Sequence, residues 1–294
     1  MRTRLVRVLF LGAWPWALGL CLCLLAFSAP AAAQSRPLVT EDPETVPSGH
    51  ILLEAGLDYL RDIYFPASGL TGSLWRIGTV GVSFGVSSIA EVQIDGGFRD
   101  RLNVTSLNPA APLAGMLQLE SDTTSSVMDI AIGTKVRFLS ETSGRPAMAV
   151  RFSTRLPNAS NESGLGLDTT DFHFGLGIAK TVQSVRIAGN AGFGILGDPT
   201  RGDRQNDVFE YGASVARAVA TGAEIVGELH GRLNTRSGTA PIGTESRALA
   251  RIGARFTRGP VRADGAFIIG VTENDPTWGF TAGLTWVFKA FTVQ

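Results

Sequence analysis

Charged side chains are scarce in this sequence, and neither sign is in excess. Asp, Glu, Lys and Arg make up 18% of the 294 residues, whereas about a quarter is usual in soluble domains. The 26 basic residues are matched by 26 acidic ones, so the chain lacks the positive field of a nucleic-acid binder. With 44% hydrophobic residues it is also too apolar for a highly charged disordered chain. The chain can therefore bury a large core, but it has few charges to cover its surface.

Cysteine is nearly absent. The two cysteines, at positions 21 and 23, lie in an apolar stretch over residues 8–27. Three arginines precede this stretch and the triplet Ala31-Ala32-Ala33 follows it, which is the order of a cleaved secretory signal peptide. A membrane-anchoring helix is the alternative, but Pro15 interrupts the run. We therefore expect a signal peptide over residues 1–33 and an exported chain without a disulfide framework.

Long apolar runs are missing after residue 33, so the sequence offers no second spanning helix. Short segments of alternating character occur instead. Over residues 90–99 the even positions are Ala, Val, Ile, Gly and Phe, and the odd positions are Glu, Gln, Asp, Gly and Arg. Such a period of two predicts a β-strand with one face in an apolar phase and the other in a polar one.

About twelve segments show this alternation, an even number, as closed single-chain barrels of the bacterial outer membrane require. Segment 74–86 fits less well, because Arg76 falls on the same side as Val80 and Val82. The predicted strands cover residues 51–59, 74–86, 90–99, 128–138, 148–156, 172–178, 185–195, 209–215, 224–232, 247–256, 261–271 and 278–288.

The predicted connections alternate in length, which is typical of outer-membrane barrels with short periplasmic turns and longer extracellular loops. We therefore predict an all-β fold, a closed antiparallel transmembrane β-barrel of about 12 strands. Short connections fall at 87–88, 140–146, 181–184, 220–222 and 257–260, and longer ones at 61–73, 100–126, 157–169, 197–206, 234–245 and 272–276.

A soluble β-sandwich would also show alternation. It is disfavoured because the polar positions are rich in Arg and Glu, which the inner face of a sandwich could not bury. In addition, Trp278, Trp286 and Phe288 lie on the apolar side of the last strand, where an aromatic girdle at a membrane interface belongs.

Three motifs then resemble those of a known family. They are LVTEDPETV at 38–46, DIAIGTKVRF at 129–138, and the run from Arg155-Leu-Pro157 through Gly164-Leu-Gly166 to DFHFG at 171–175. With these motifs the chain resembles, over most of residues 38–290, the outer-membrane proteins of the MetA-pathway of phenol degradation family. The resemblance implies uptake of small, aromatic or hydrophobic molecules, and it supplies no established binding residues.

Polar positions of the predicted strands carry the candidate functional residues. A barrel of this size has a backbone radius on the order of 12 Å, so long Arg and Glu side chains would largely fill its lumen. These side chains either pair across strands and keep the lumen neutral, or form a charged ladder that selects a solute. The lumen-facing candidates are Glu54, Asp58, Glu91, Asp95, Arg99, Asp129, Lys135, Arg137, Arg151, Arg155, Asp171, His173, Arg186, Glu224, Glu228, Arg247, Arg251 and Arg255.

One set of these residues is of a single sign. Arg247, Arg251 and Arg255 lie on one strand face, with successive members about 13 Å apart, and Arg232 and Arg262 on flanking strands extend a basic stripe. Our hypothesis is that this wall contacts carboxylates or phosphates of a solute. Charge reversal at Arg251 is then expected to change ion selectivity in planar bilayers.

We expect neither a catalytic site, nor a cofactor, nor a metal ion. Barrel lipases have a serine two residues from a histidine on one strand, and neither His173 nor His230 has a serine at that spacing. The loop over residues 198–207 contains three acids, but it misses the EF-hand spacing and carries two arginines.

The N-terminal part of the exported chain is expected to be irregular. Residues 34–48 contain Pro37, Pro43 and Pro47, which suit neither strand nor helix. We predict a short periplasmic lead-in here, followed by the barrel domain over residues 49–294. The alternative is that the segment folds into the lumen as a hatch, and its deletion would then raise the conductance.

These observations together predict an outer-membrane channel or facilitator for passive uptake of a small solute. A structural or adhesive barrel acting through the loops at 100–126 and 157–169 is the alternative, and a barrel enzyme ranks last for want of a triad. The expected partners are outer-membrane lipid, a small-molecule solute and, during insertion, the barrel-assembly machinery, with no nucleic acid. The expected location is the bacterial outer membrane.

Overall fold

The computed structural model describes residues 35–293 and is almost entirely β-strand. The expected signal peptide over residues 1–33 lies outside the described residues. Within the described range, no helix has the length and apolar character needed to cross a bilayer. The strands are β1 (His50–Phe65), β2 (Leu70–Gly85), β3 (Ala90–Leu107), β4 (Thr123–Ser126), β5 (Ile130–Leu139), β6 (Ala147–Leu156), β7 (Asp171–Val182), β8 (Val185–Gly197), β9 (Gln205–Ala220), β10 (Ala223–Asn234), β11 (Arg247–Arg258), β12 (Val261–Gly270) and β13 (Trp278–Lys289), with a 3₁₀ turn at Ala114–Met116.

Antiparallel pairing closes the sheet into a ring, because β1 pairs with β13 as well as with β2. β4 is an addition to this ring. It pairs with β3 near one end, and β5 pairs with β3 nearer the other end. The prediction of a closed antiparallel barrel of about 12 strands is confirmed, and the short β4 is the element that it missed. Closure removes the exposed edges that an open sheet of this size would have.

Connections differ between the two ends of the barrel, which we call the short-turn end and the long-loop end. The predicted long loop at 61–73 is wrong. β1 and β2 extend through most of it, because Leu60, Ile63, Leu70 and Leu74 pack in one buried cluster. The short-turn end is formed by residues 86–89, 140–146, 183–184, 221–222 and 259–260, and the long-loop end by residues 66–69, 108–122, 157–170, 198–204, 235–246 and 271–277.

The longest loops turn over the barrel mouth. Leu117 and Leu119 of one loop and Leu165 of another pack against the buried leucine cluster inside the long-loop end. The two loops also bind each other, since the Gln118 amide donates to the Glu162 carbonyl oxygen at 3.0 Å. They therefore narrow the opening instead of projecting from it.

Apolar side chains cover the outside of the barrel and charged side chains the inside. Ile252, Phe256 and Leu284 are 61%, 53% and 57% exposed although they lie on regular strands. By contrast, Glu91 and Lys135 are only 1% and 2% exposed. Burying apolar surface contributes about 25 cal/mol per Å², so such an exterior is stable in lipid and not in water.

Aromatic side chains form two groups on this exterior, as an outer-membrane barrel requires at its two interfaces. Near the long-loop end, the ring centroid of Tyr59 lies 4.8 Å from that of Trp75 and 5.5 Å from that of Trp278. Near the short-turn end, the Trp286 and Phe288 centroids are 4.4 Å apart. Trp278 and Trp286 are separated by about 27 Å along β13. With a strand tilt near 40°, the height is about 20 Å, close to the apolar band of about 25 Å.

An extra residue in each of two neighbouring strands changes which side chains face the lumen. The pairing of β1 with β2 skips Gly78, whose φ is 67°. Gly78 lies opposite Phe98 of β3, between the pairs Ile77–Arg99 and Thr79–Gly97. The alternation changes phase across such an extra residue. This change explains why Arg76 departs from the pattern of Val80 and Val82.

The prediction that Arg99 faces the lumen is wrong for the same reason. Arg99 lies beyond the phase change, is exposed on the outer side, and donates to Ser125 Oγ at 3.0 Å. Its neighbour Asp100 faces inward instead, with its Oδ2 3.6 Å from Arg76 Nε.

Candidate functional site in the barrel lumen

The N-terminal segment occupies the lumen. We call residues 35–48 the lumen segment, because their charged and backbone groups bind inward-facing side chains of β2, β3, β5, β6, β8, β10, β11, β12 and β13. The preferred prediction of a periplasmic lead-in over residues 34–48 is therefore wrong for the described residues 35–48, and their placement is the one given as the alternative. The physical reason is charge: the segment brings three acids and an arginine to a wall that presents complementary groups.

Arg36 anchors one end of the lumen segment. Its Nη2 donates to Thr281 Oγ1 at 3.0 Å and lies 3.4 Å from Asp264 Oδ1. Gly56 and Gly283 leave the room for this guanidinium, since a Cβ at either position would overlap it. The small residues on β1 and β13 thus form the recess into which Arg36 fits.

A single buried carboxylate holds the middle of the segment. The backbone amide of Val39 donates to both oxygens of Glu228, at 2.9 and 2.8 Å, and that of Thr40 donates to Oε2 at 2.6 Å. The side chain of Glu228 is completely buried, with His230 Nδ1 at 3.0 Å and Arg251 Nε at 3.7 Å. This carboxylate therefore has two cationic or polar side chains on the wall and two backbone donors on the segment.

Three acids complete the attachment. Glu41 Oε2 lies 3.3 Å from Lys135 Nζ and Oε1 lies 3.4 Å from Arg151 Nε. Asp42 Oδ1 accepts from Arg186 Nη2 at 2.6 Å, and Glu44 pairs with Arg137. The amide of Val46 donates to Glu91. The segment is thus held by charge along its whole length.

Arg186 also links the segment to the short-turn end. Its Nη1 donates to Oε2 of Glu141, in the 140–146 connection, at 3.0 Å. Burial raises the pKa of the Glu141 carboxyl, but the hydrogen bonds from the Thr181 amide and from Arg186 outweigh it, so this pKa lies below its ordinary value. Glu141 is therefore ionised at neutral pH and keeps Arg186 aligned towards Asp42.

The predicted lumen residues other than Arg99 divide into three groups. Seven bind the lumen segment directly: Glu91, Lys135, Arg137, Arg151, Arg186, Glu228 and Arg251. Five pair between strands or with the nearby loop, as Asp129–Arg155–Asp171 and Glu224–Arg255. Five more line the open space, namely Glu54, Asp58, Asp95, His173 and Arg247.

Sequence reasoning missed the groups of the lumen segment itself, namely Arg36, Glu41, Asp42 and Glu44. A signal for them was present, because three acids within four positions precede strands whose inward positions include Lys135, Arg137, Arg151 and Arg186. The amides of Val39 and Thr40 gave no such signal, because every non-proline residue carries one.

A cavity of about 670 Å³ remains between the lumen segment and the long-loop end. Its lining includes the basic residues Arg76, Arg232, Arg247 and Arg251 and the apolar residues Leu60, Ile63 and Leu249. It also includes the acids Glu54, Asp58 and Asp95. Cavities of this size accommodate small organic molecules.

The predicted basic stripe is mostly neutralised. Arg255 Nε lies 2.6 Å from Glu224 Oε2. Arg251 Nε lies 3.7 Å from Glu228 Oε1, and its Nη1 donates to the Pro37 carbonyl oxygen at 2.9 Å. The end of the stripe at Arg247 and Arg232 differs, because no carboxylate of the described residues lies within 4.0 Å of either guanidinium.

These features define an outer-membrane β-barrel: a closed antiparallel ring, an apolar exterior with two aromatic groups, and a charged interior. The chain belongs to the family described as MetA-pathway of phenol degradation, whose match covers residues 34–287. The family resemblance noted in the sequence is thereby confirmed.

Several solved structures are similar to the chain, and the first of them shares its fold. An outer membrane channel from Pseudomonas putida F1 is similar with a TM-score of 0.61 at 12% identity, over 84% of this chain and 98% of that one. NanC porin gives 0.48 at 8% identity, over 80% of this chain and 98% of that one. LpxR from Salmonella typhimurium gives 0.47 at 10% identity, over 81% and 100%. No curated protein sequence matches the chain.

Proposed function

We propose that this protein is an outer-membrane channel for the passive uptake of a small solute, aromatic or hydrophobic in character. The observation that carries the proposal is the cavity of about 670 Å³ inside a charged, membrane-embedded barrel. Membership of a family named for phenol degradation supports the chemical class of the solute, and the Pseudomonas putida channel shares the fold.

The lumen segment is the gate in this proposal. It fills the part of the lumen towards the short-turn end, so a solute in the cavity reaches that end only when the segment moves. Most of its contacts are ion pairs and charge-assisted hydrogen bonds, which are reversible in a water-accessible lumen. Displacement of the segment, with the strands of the ring unchanged, is therefore the opening step.

The proposal is of a transport protein and not of an enzyme. His173 Nδ1 lies 2.9 Å from Glu210 Oε1, and His230 Nδ1 lies 3.0 Å from Glu228 Oε1. In the part of the chain described, neither histidine hydrogen-bonds a serine hydroxyl, so neither is positioned to activate one. An adhesive role is also disfavoured, because the long loops fold over the mouth.

The test is single-channel recording in a planar bilayer on the wild-type chain and on a variant that lacks residues 35–47. We expect rare, small openings from the wild type and a large, sustained conductance from the deletion variant, because the deletion removes the gate and keeps every strand pair. Retention of the barrel is checked by gel mobility without boiling. A folded deletion variant that passes no current would contradict the proposed channel, and equal conductance of both proteins would contradict the gate.

A further inference from the structure

Three cross-strand pairs of β10 and β11 face the lumen at intervals of four residues. Two of them match a base with an acid, Glu224 opposite Arg255 and Glu228 opposite Arg251. The third sets Arg232 directly opposite Arg247. Like charges directly opposite each other on neighbouring strands are destabilising. The pair of Arg232 and Arg247 therefore departs from the charge matching of the other two pairs.

Both guanidinium groups are held in place by backbone oxygens. Arg232 donates from Nε to the Glu245 carbonyl oxygen at 3.0 Å and from Nη2 to the Gly243 carbonyl oxygen at 2.7 Å. Arg247 donates from Nη2 to the Tyr64 carbonyl oxygen at 3.2 Å. Arg247 Nε is buried without any hydrogen-bond partner among the described residues. The two guanidinium groups are thus held in fixed orientations, and Arg247 Nε remains an unused hydrogen-bond donor.

The acids nearest to this pair each bind another group through one carboxylate oxygen. Glu210 binds His173 at 2.9 Å. Asp275 Oδ2 accepts from the Ala248 amide at 2.9 Å, and Glu245 Oε1 accepts from the Gly243 amide at 2.8 Å. None of these carboxylates lies within 4.0 Å of Arg232 or Arg247 in the range 35–293. No carboxylate of the described residues therefore pairs directly with either arginine, and Arg247 Nε keeps an unused hydrogen-bond donor.

Three apolar residues of the cavity lining indicate what kind of anion would fit beside the arginines. Leu60, Ile63 and Leu249 line the same cavity as the two arginines. A planar guanidinium binds a carboxylate with two parallel hydrogen bonds, and the leucine and isoleucine side chains favour an apolar body. A molecule with a carboxylate at one end and an aromatic ring at the other satisfies both walls.

We propose that Arg232 and Arg247 bind the carboxylate of a small aromatic monocarboxylate, whose ring lies against Leu60, Ile63 and Leu249. This inference rests on the proposed channel function and names the chemical class of its solute. The arginine pair is then the recognition element of the cavity, placed between the long-loop end and the lumen segment.

The experiment measures binding and not transport, so that its failure differs from failure of the channel proposal. Benzoate is titrated into the folded full-length protein in detergent and the heat of binding is recorded. Benzyl alcohol, of the same shape without the charge, and inorganic phosphate, charged without the ring, are titrated in parallel. We expect benzoate to bind at least tenfold more tightly than either, because only benzoate engages both walls.

The variants are Arg247→Gln and Arg232→Gln, with Arg258→Gln as the matched control. Arg258 lies on the same strand as Arg247 but is exposed at the short-turn end. We expect each of the first two variants to weaken benzoate binding at least tenfold and the control to leave it unchanged.

Several results would overturn the assignment. Benzoate that does not bind, or that binds all three variants equally, would show that the arginine pair is not the site. Phosphate that binds as tightly as benzoate would show an anion site without the aromatic specificity. If the protein conducts but does not bind benzoate, the benzoate site is wrong and the channel proposal stands. If it binds benzoate but does not conduct, the channel proposal is wrong.

Discussion

Glu228 is the residue on which the position of the lumen segment depends most. It accepts hydrogen bonds from the amides of Val39 and Thr40, and its side chain is completely buried. Hydrogen bonds to a charged group contribute about 1.5–3 kcal/mol, and a buried donor left without a partner costs about 1–3 kcal/mol. More exposed ion pairs, such as that between Glu44 and Arg137, contribute about 0–1 kcal/mol. The lumen segment is therefore fixed at its centre more firmly than near the short-turn end.

Replacement of this carboxylate by an amide is expected to loosen the gate. Glu228→Gln keeps the size of the side chain but removes the charge that Val39, Thr40 and Arg251 share, so the fraction of time spent in the open state should rise about tenfold or more, in keeping with a loss of about 1.5 kcal/mol. Single-channel recording measures this fraction. Glu224→Gln is the control, because Glu224 lies on the same face of β10 but pairs with Arg255. An equal effect of both substitutions would argue against the role given to Glu228.

At the scale of the element, Gly78 of β2 lies where the inward–outward alternation of β2 and β3 changes phase, and the backbone of both strands depends on it. Gly78 has a φ of 67°, and a Cβ there would lie 2.6 Å from the Phe98 ring. A residue with a side chain in this conformation is strained by about 1–2 kcal/mol, and the ring contact adds to that. The strain falls on the two strands whose inward faces carry Arg76 and Asp100.

We expect Gly78→Ala to lower the free energy of unfolding by about 1–3 kcal/mol. Urea unfolding in detergent, followed by tryptophan fluorescence, gives this quantity. Gly115→Ala is the matched control, because a Cβ at Gly115 meets nothing within 4 Å. If the two variants unfold at the same urea concentration, the backbone at Gly78 is not the constraint that its φ indicates.

Most strands were predictable from sequence because the alternation of a strand such as β11 is written within the strand itself. In this strand Ile252 and Phe256 are exposed on the outside, and Arg251 and Arg255 face the lumen, as a period of two requires whatever the rest of the chain does. β4 was missed because its four residues, Thr-Thr-Ser-Ser, have no apolar phase. Arg99 was misplaced because one extra residue at Phe98 reverses every position after it.

The candidate site was less predictable, since it is formed by contacts between distant parts of the chain. Which inward side chains line a wall follows from parity, and so Lys135, Arg186 and Glu228 were named correctly as inward positions. No local pattern predicts that the amide of Thr40 donates to Glu228, which lies 188 residues away in the sequence. Likewise, no local pattern shows that Arg247 has no acid of the described residues within 4.0 Å, because this depends on which side chains the fold brings near it.

At the scale of the whole molecule, the barrel has an apolar exterior and an ionic interior. The exterior is fixed by lipid and by the closed ring of hydrogen bonds, neither of which responds strongly to salt. The interior is held by ion pairs whose side chains keep some exposure, such as Asp42 and Arg186 at 20% each. The wall and the gate should therefore respond differently to the same change in solution.

Raising the salt concentration is expected to open the gate without unfolding the wall. The Debye length falls from about 10 Å at 0.1 M to about 3 Å at 1 M, which weakens partly exposed pairs between the lumen segment and the wall. We expect the open fraction of the wild type, measured apart from the conductance of each opening, to rise between these concentrations. The variant lacking residues 35–47 should show no such rise. A constant open fraction in the wild type would mean that packing, and not charge, holds the segment.

The paired extra residues at Gly78 and Phe98 constrain how this chain can change over evolutionary time. Gain or loss of one residue in β2 alone would turn Leu74 and Arg76 towards lipid while Asp100 and Leu102 of β3 stayed inside. A compensating change at the same level of β3 restores both faces at once. We therefore expect length changes at these two positions to be inherited together, so that a relative has both extra residues or neither.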